Sequence, residues 1–143
     1  MATVALVTED GAAHQKSYRE AIRDIVLIER VELLDPGGLT FDDTIKTVGK
    51  KAAGTHVTVD SLLGSGVPDM AIVTMIAAHA PDVIRPLLEA GVHVMAEKPA
   101  CVRADDFAEL ARIADANRAH LMLALSNRIH PATEDARRLI ASG

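Results

Sequence analysis

The chain has 143 residues, of which 49% are hydrophobic and 24% are charged, so it has the size and composition of one globular domain and is not intrinsically disordered. Its 15 Lys and Arg against 20 Asp and Glu give a formal net charge of -5, which argues against nucleic-acid binding as its main role. The single cysteine, Cys101, excludes an internal disulfide bond and fits a reducing compartment. The apolar run at the N-terminus is too short for a signal peptide or a membrane span, so we expect a cytoplasmic protein with no membrane role.

Short apolar runs rich in Val, Ile and Leu alternate with longer segments of helical period along the chain. The runs predict six strands, at residues 4–7, 31–34, 55–59, 70–75, 92–95 and 121–125. Most of them lack a polar residue at every second position, as expected for parallel strands that are buried on both faces of a sheet. The prediction is one α/β domain over residues 1–143, with a doubly wound parallel sheet of about six strands and helices on both faces.

Apolar residues spaced at i, i+3, i+4 and i+7 predict the helices between these strands. Such stripes begin at Tyr18, Phe41, Val83 and Phe107. Gly91 is predicted to take the left-handed conformation that ends the third of these helices. Pro86 falls inside the same helix and is predicted to kink it or to shift its start. Segments rich in glycine, at residues 35–38 and 64–66, predict loops.

The loop after the first strand is a candidate site for a dinucleotide, because in such folds it carries the pattern Gly-x-Gly-x-x-Gly. Here Thr8 and Asp10 stand at the first two glycine positions and Ala13 at the third. Gly11 and Ala12 remain as candidate cofactor-binding residues, since Gly11 can relieve the turn and the helix that follows offers free N–H groups. Acidic residues in this loop oppose tight binding of a pyrophosphate; alternatively, they complement the dipole of the next helix.

Asp35 follows the second strand, 27 residues after Thr8. An acidic residue at this position can accept hydrogen bonds from the ribose 2′- and 3′-hydroxyls and repel a 2′-phosphate, which would favour NAD over NADP. Because Asp35 precedes Pro-Gly, it could equally belong to an ordinary turn.

Polar residues also follow the fourth, fifth and sixth strands, where a sheet of this type binds its ligands. The fifth strand runs into Glu97-Lys98-Pro99, and a charged pair at a buried strand end is costly unless the charges are paired or meet a ligand. The alternative is a surface ion pair at the start of a loop. Thr74 lies at the end of the fourth strand and His79 follows it, while Asn127 and Arg128 follow the sixth. The histidines show no metal-binding spacing, so no metal site is predicted.

From about Asp69 onwards the sequence resembles the N-terminal half of the Gfo/Idh/MocA oxidoreductases, which include glucose-fructose oxidoreductase and inositol dehydrogenase. The resemblance rests on the strings Ala-Gly-Val-His-Val-Met-Ala-Glu-Lys-Pro at residues 90–99 and Asn-Arg-Ile-His-Pro-Ala at residues 127–132, with Thr74 and His79 before them. The first 65 residues match in pattern only. The resemblance implies a Rossmann-type domain that binds NAD or NADP, as the N-terminal part of a longer two-domain protein. A homo-oligomer is a candidate assembly for that protein.

The resemblance also implies roles for individual residues. Lys98 would be catalytic and would touch both substrate and nicotinamide, while Glu97 would contact the nicotinamide ribose. Thr74 would line the nicotinamide side, Asp35 the adenosine ribose, and Arg128 the cofactor end of the cleft. The remaining candidates for cofactor contacts are His79, Pro99 and Asn127. The substrate would be a sugar, a cyclitol or a related polyol, held by a second domain. Without that domain this chain is not expected to turn over substrate.

The sequence departs from the family pattern at several positions. The glycine pattern is altered at Thr8 and Asp10, the usual Thr-Pro-Asn after the fourth strand is Thr74-Met75-Ile76, and Arg103 replaces a common Ser or Thr helix cap. These departures keep a second hypothesis open. In it the protein is a binding or regulatory relative that retains the fold but lacks catalysis, as the family's galactose-pathway transcriptional regulator illustrates.

Overall fold

A computed structural model describes all residues from 1 to 143. The strands are β1 Ala2–Thr8, β2 Ile28–Leu34, β3 Ala52–His56, β4 Met70–Thr74, β5 His93–Ala96 and β6 Leu121–Leu123. The helices are α1 Gln15–Asp24, α2 Phe41–Val48, α3 Val59–Ser65, α4 Ala80–Glu89, α5 Ala104–Ala116 and α6 Pro131–Ser142. Single 3-10 turns occupy Gly49–Lys51 and Ser126–Ile129.

The six strands form one sheet in the order β3-β2-β1-β4-β5-β6, and every neighbouring pair is parallel. In the central register Leu6 of β1 lies opposite Leu33 of β2 and Ile72 of β4. The strand order reverses direction between β1 and β4, which makes this the topological switch point of the sheet. The predicted doubly wound α/β fold is confirmed.

Two apolar clusters cover the two faces of the sheet. Within β1, Val4 and Leu6 belong to a cluster of 8 buried residues, whereas Ala5 and Val7 belong to a cluster of 19. Successive side chains of a strand point to opposite faces, so a strand buried on both faces must be apolar throughout. No fully buried member of either cluster is aromatic, which agrees with an aromatic content of only 2%. No helix is long and apolar enough to cross a membrane.

The third strand lies three residues earlier than predicted, at Ala52–His56 instead of 55–59. Val57 is 55% exposed, and the hydroxyl of Thr58 accepts a hydrogen bond from the backbone N–H of Ser61 and so caps α3. The segment 55–59 therefore spans the boundary between β3 and α3. The predicted loop at 64–66 was also wrong at its start, because α3 continues to Ser65 before Gly66 ends it.

Helix α4 runs without interruption from Ala80 to Glu89 and contains Pro86, so the predicted shift of its start is wrong. Gly91 has φ +80° and follows the helix as predicted. The backbone N–H of Val92 donates to the carbonyl of Leu87 at 3.0 Å, which closes the helix and directs the chain into β5.

Glu32 is a buried acid on β2, held by residues of β2 and β3. Its carboxylate accepts hydrogen bonds from Arg30 Nε at 2.8 Å and pairs with His56 Nε2 at 3.0 Å. Burial alone would raise the pKa of Glu32, but the hydrogen bonds from His56 and Arg30 and the charge of Arg30 outweigh it and lower that pKa. A carboxylate with a lowered pKa stabilises the fold above its unfolded-state pKa and loses that contribution as the pH falls.

Replacing Glu32 with Gln is expected to lower the free energy of unfolding at pH 7 by about 2 kcal/mol, since charge-assisted hydrogen bonds are lost at a buried site. The deficit should shrink as the pH falls below about 4.3, because the carboxyl group of the unfolded chain is protonated there before that of the folded chain. Urea unfolding of both proteins between pH 3 and 7 measures this effect. Glu29→Gln is the matched control, because Glu29 is exposed and has no partner; a deficit independent of pH would contradict the account.

Candidate functional site

A cavity of about 510 Å³ opens at the carboxyl ends of β5 and β6, against the first turn of α1. The loops after these strands and α1 meet there because parallel strands end at the same edge of the sheet. The cavity is lined by His14, Ser17, Tyr18, Met95, Glu97, Lys98, Met122, Leu123, Ala124, Leu125, Ser126, Arg128 and Ile129. Of the candidate residues, the structure thus brings together Glu97, Lys98 and Arg128.

Glu97 follows β5 directly and is 8% exposed. Its two carboxylate oxygens have separate donors: Tyr18 Oη donates to Oε2 at 2.5 Å, and the backbone N–H of Lys98 donates to Oε1 at 3.0 Å. The carboxylate is thereby fixed in one orientation at the wall of the cavity. The predicted alternative of a surface ion pair between Glu97 and Lys98 is absent, because the buried acid is held by a phenol and a backbone amide instead.

Tyr18 is a member of this site that the sequence did not single out. Burial, followed by the hydrogen bond to Glu97 and the negative charge of Glu97, raises the pKa of Tyr18 well above its usual value. The phenol therefore stays protonated at neutral pH and acts as a donor. The helical stripe placed Tyr18 among core residues, and nothing in its spacing reveals that its hydroxyl reaches a residue 79 positions away.

Lys98 is exposed at the cavity, and its side chain makes no hydrogen bond or ion pair within the chain. Arg128, in the turn after β6, also lines the cavity without an intramolecular partner for its guanidinium. The Lys98-Pro99 peptide bond is cis. Two free cations thus face a cavity whose one carboxylate is already engaged. Such groups can stabilise negative charge on a ligand or on an oxygen that becomes an alkoxide.

Thr74, the last residue of β4, and His79, in the segment after it, lie outside the cavity. Thr74 is completely buried, and its hydroxyl donates to the carbonyl of Ala13 at 2.6 Å, so β4 is tied to the loop after β1. His79 is more than half exposed, and its Nδ1 lies 2.5 Å from Glu9 Oε1. Pro99 and Asn127 also lie outside the cavity, and the carbonyl of Asn127 accepts a hydrogen bond from Thr133.

The loop after β1 makes a tight turn in which Gly11 has φ +78° and the N–H of Ala12 donates to the carbonyl of Glu9 at 3.1 Å. A Cβ added to Gly11 would meet no atom within 4 Å, so the backbone is open at this point. The interpretation that Glu9 complements the dipole of α1 is wrong, because its carboxylate turns toward the loop after β4.

Asp35 is completely buried, and its carboxylate is occupied by its own loop. Oδ1 accepts from the N–H of Gly37 at 2.8 Å, and Oδ2 accepts from both the N–H and the hydroxyl of Thr40, at 2.8 and 2.7 Å. The hydroxyls of Thr40 and Thr8 are 2.6 Å apart, which connects this loop to the end of β1. In this structure Asp35 organises the turn, and because its carboxylate is completely buried, a contact with a ribose would require this loop to rearrange.

A family model described as an oxidoreductase family with an NAD-binding Rossmann fold, GFO_IDH_MocA, matches residues 6–125. The chain belongs to the Gfo/Idh/MocA oxidoreductase family. It is an NAD-binding domain of that family, which confirms the resemblance seen in the sequence. A search of curated proteins gave no significant match.

Solved structures of Gfo/Idh/MocA proteins share its fold. The WlbA dehydrogenase from Chromobacterium violaceum, in complex with NADH and UDP-GlcNAcA, superposes with a TM-score of 0.85 at 22% identity over 99% of this chain. A putative myo-inositol dehydrogenase from Sinorhizobium meliloti gives 0.80 at 19% identity over 100% of the chain. The chain spans 40% and 42% of the lengths of these two structures.

Replacing Tyr18 with Phe is expected to lower the free energy of unfolding of this Gfo/Idh/MocA domain by about 1–2 kcal/mol, because the buried carboxylate of Glu97 loses one of its two donors. Urea unfolding at pH 7 measures the change. Ser17→Ala is the control, since Ser17 lies in the same turn of α1 and its hydroxyl makes no hydrogen bond. Equal stability of both variants would show that the phenol does not support Glu97.

Proposed function

We propose that this domain binds NAD in preference to NADP and directs the nicotinamide end toward the cavity beside Lys98, as the cofactor-binding part of an oxidoreductase of sugars, cyclitols or related polyols. The observation that carries the proposal is the arrangement at the end of β5. There, a fixed carboxylate and a lysine without an intramolecular partner border a cavity at the edge of the sheet where such folds bind ligands.

The residues present fit a nicotinamide dinucleotide at this end of the site. The carboxylate of Glu97 has a fixed orientation and can accept from a ribose hydroxyl, while Tyr18 keeps that carboxylate in place. The ammonium of Lys98 can hydrogen-bond to a substrate hydroxyl and stabilise the negative oxygen that develops as its carbon is oxidised. When bound, the nicotinamide supplies the hydride-accepting chemistry. The lining of the cavity is largely apolar and includes Met122 and Leu125.

The preference for NAD is supported by the loop after β2. No Lys or Arg occurs between Leu34 and Lys46, so this loop offers no cation to a 2′-phosphate. The carboxylate of Asp35 lies in the same loop and adds negative charge. Both features disfavour a dianionic group on the adenosine ribose.

Titration of the chain with NADH and with NADPH, monitored by nucleotide fluorescence and by calorimetry, tests the proposal. We expect NADH to bind with a Kd below about 1 mM and at least about tenfold more tightly than NADPH. Absence of heat and of a fluorescence change at millimolar NADH would overturn the proposal. Equal affinities would overturn the preference for NAD alone.

We further propose that substrate oxidation requires a second domain, since the chain spans only about two fifths of the related structures. The mass of the native protein in its own cells tests this: a mass well above that of 143 residues supports it, and a mass equal to that of the chain refutes it.

A binding or regulatory protein without catalysis is the second candidate, and one observation favours it. The carboxylate of Glu9 spans the crevice that a dinucleotide would enter. If the chain binds no cofactor but a variant with Thr8→Gly and Asp10→Gly does, the regulatory hypothesis gains; binding by the unaltered chain counts against it.

A further inference from the structure

The loops after β1 and β4 flank the topological switch point, and a side chain of the first loop bridges them. Glu9 Oε2 accepts a hydrogen bond from the backbone N–H of Ile76 at 3.0 Å, and Glu9 Oε1 lies 2.5 Å from His79 Nδ1. Both partners belong to the segment between β4 and α4. One carboxylate therefore satisfies two donors on the opposite side of the crevice.

The backbone of Glu9 is also held in place. Its carbonyl accepts from Gln15 Nε2 at 2.5 Å and from the N–H of Ala12 at 3.1 Å. A second link between the two loops is the hydrogen bond from Thr74 to the carbonyl of Ala13. The carboxylate is thus directed across the crevice by an ordered turn, and it is only about one-fifth exposed.

The donors that Glu9 occupies are of the kind that bind phosphate. Backbone N–H groups and imidazole N–H groups form charge-assisted hydrogen bonds with any oxyanion, whether a carboxylate or a phosphate. In a doubly wound sheet the dinucleotide lies in the crevice at the switch point, where its pyrophosphate brings negative charge beside this carboxylate. The carboxylate and the pyrophosphate therefore compete for one place and repel each other.

We propose that Glu9 is an affinity-determining residue for the cofactor: in the free protein its carboxylate occupies the N–H of Ile76 and the imidazole of His79, and it must leave them for the pyrophosphate to enter. This inference rests on the proposed binding of a nicotinamide dinucleotide. It goes beyond the charge of the loop, because it assigns the effect to two specific hydrogen bonds. Asp10 carries the same charge one residue further on but makes no hydrogen bond or ion pair.

The variants Glu9→Ala and Asp10→Ala test the inference, since each removes one carboxylate from the same loop. Titration of the whole chain with NADH at fixed ionic strength compares the two. We expect Glu9→Ala to raise the affinity about tenfold, because the cost of breaking charge-assisted hydrogen bonds disappears. Asp10→Ala should raise it only about twofold through reduced repulsion between exposed charges.

Equal increases in the two variants would overturn the inference and leave the proposed function standing. A lower affinity of Glu9→Ala would also overturn it, since Glu9 would then contribute to binding. Absence of NADH binding in the unaltered chain and in both variants would instead refute the proposed function.

Amide hydrogen exchange without nucleotide provides an independent measurement. The N–H of Ile76 should exchange at least about tenfold faster in Glu9→Ala than in Asp10→Ala, because only the former loses its acceptor. Unchanged protection of Ile76 in Glu9→Ala would show that the bridge does not form, and would overturn the inference whatever the affinities are.

Discussion

Replacing Asp35 with Ala should lower the free energy of unfolding by about 4 kcal/mol, since three donors to a completely buried carboxylate lose their acceptor. The N–H groups of Gly37 and Thr40 cannot turn elsewhere, because the backbone fixes their direction. The hydroxyl of Thr40 keeps only its contact with Thr8. Urea unfolding at pH 7 measures the loss.

Two further variants define the origin of this effect. Asp35→Asn retains one acceptor oxygen and should lose about half as much stability as Asp35→Ala. Asp42→Ala removes an exposed acid from the first turn of α2 and should cost less than about 1 kcal/mol. If Asp35→Asn were as stable as the unaltered protein while losing affinity for NADH, Asp35 would serve the cofactor and not the turn.

Replacing Lys98 with Met is expected to slow hydride transfer by the protein that carries this domain at least about a hundredfold, while NADH affinity changes by less than about tenfold. Lys98 lines the cavity, and the structure leaves its ammonium group without an intramolecular partner. A preorganised cation near a developing alkoxide acts on the transition state more than on the ground state. Single-turnover reduction of NAD with a panel of cyclitols, sugars and related polyols measures the rate.

Lys16→Met is the control for this experiment, because Lys16 is a strongly exposed lysine on α1 outside the cavity. It removes the same charge and should leave the rate unchanged. An equal fall in both variants would assign the effect to net charge. A fall in affinity without a fall in the rate at saturation would place Lys98 in cofactor binding alone.

Local patterns predicted the fold because burial on both faces of a parallel strand forces an apolar run, and such runs are visible in the sequence. The predicted ends of the strands were less accurate where apolar residues continue past the strand. Residues 55–59, four of which are β-branched, were predicted as one strand, yet Thr58 caps a helix and Val57 faces solvent. The hydrogen bond from the backbone N–H of Ser61 to the hydroxyl of Thr58 sets that boundary, and the spacing of apolar residues carries no information about it.

In the candidate site, too, the sequence predicted some features and only the structure revealed others. Lys98 and Arg128 were candidates because each follows the end of a predicted strand. The sheet brings both to one cavity because the carboxyl ends of parallel strands lie at the same edge. The direction of each polar side chain followed from contacts between distant segments. Tyr18 reaches Glu97, and Glu9 reaches His79, across 79 and 70 positions of the chain.

The sequence by itself determined the α/β class, the strands that carry the site and the family, because these depend on local apolar periodicity and on one specific string of residues. Only the tertiary structure decided which acids are available to a ligand. A carboxylate accepts whichever donors the packed chain places within about 3 Å. Asp35 was therefore buried in its own turn, Glu97 fixed by a phenol, and Glu9 placed across the crevice.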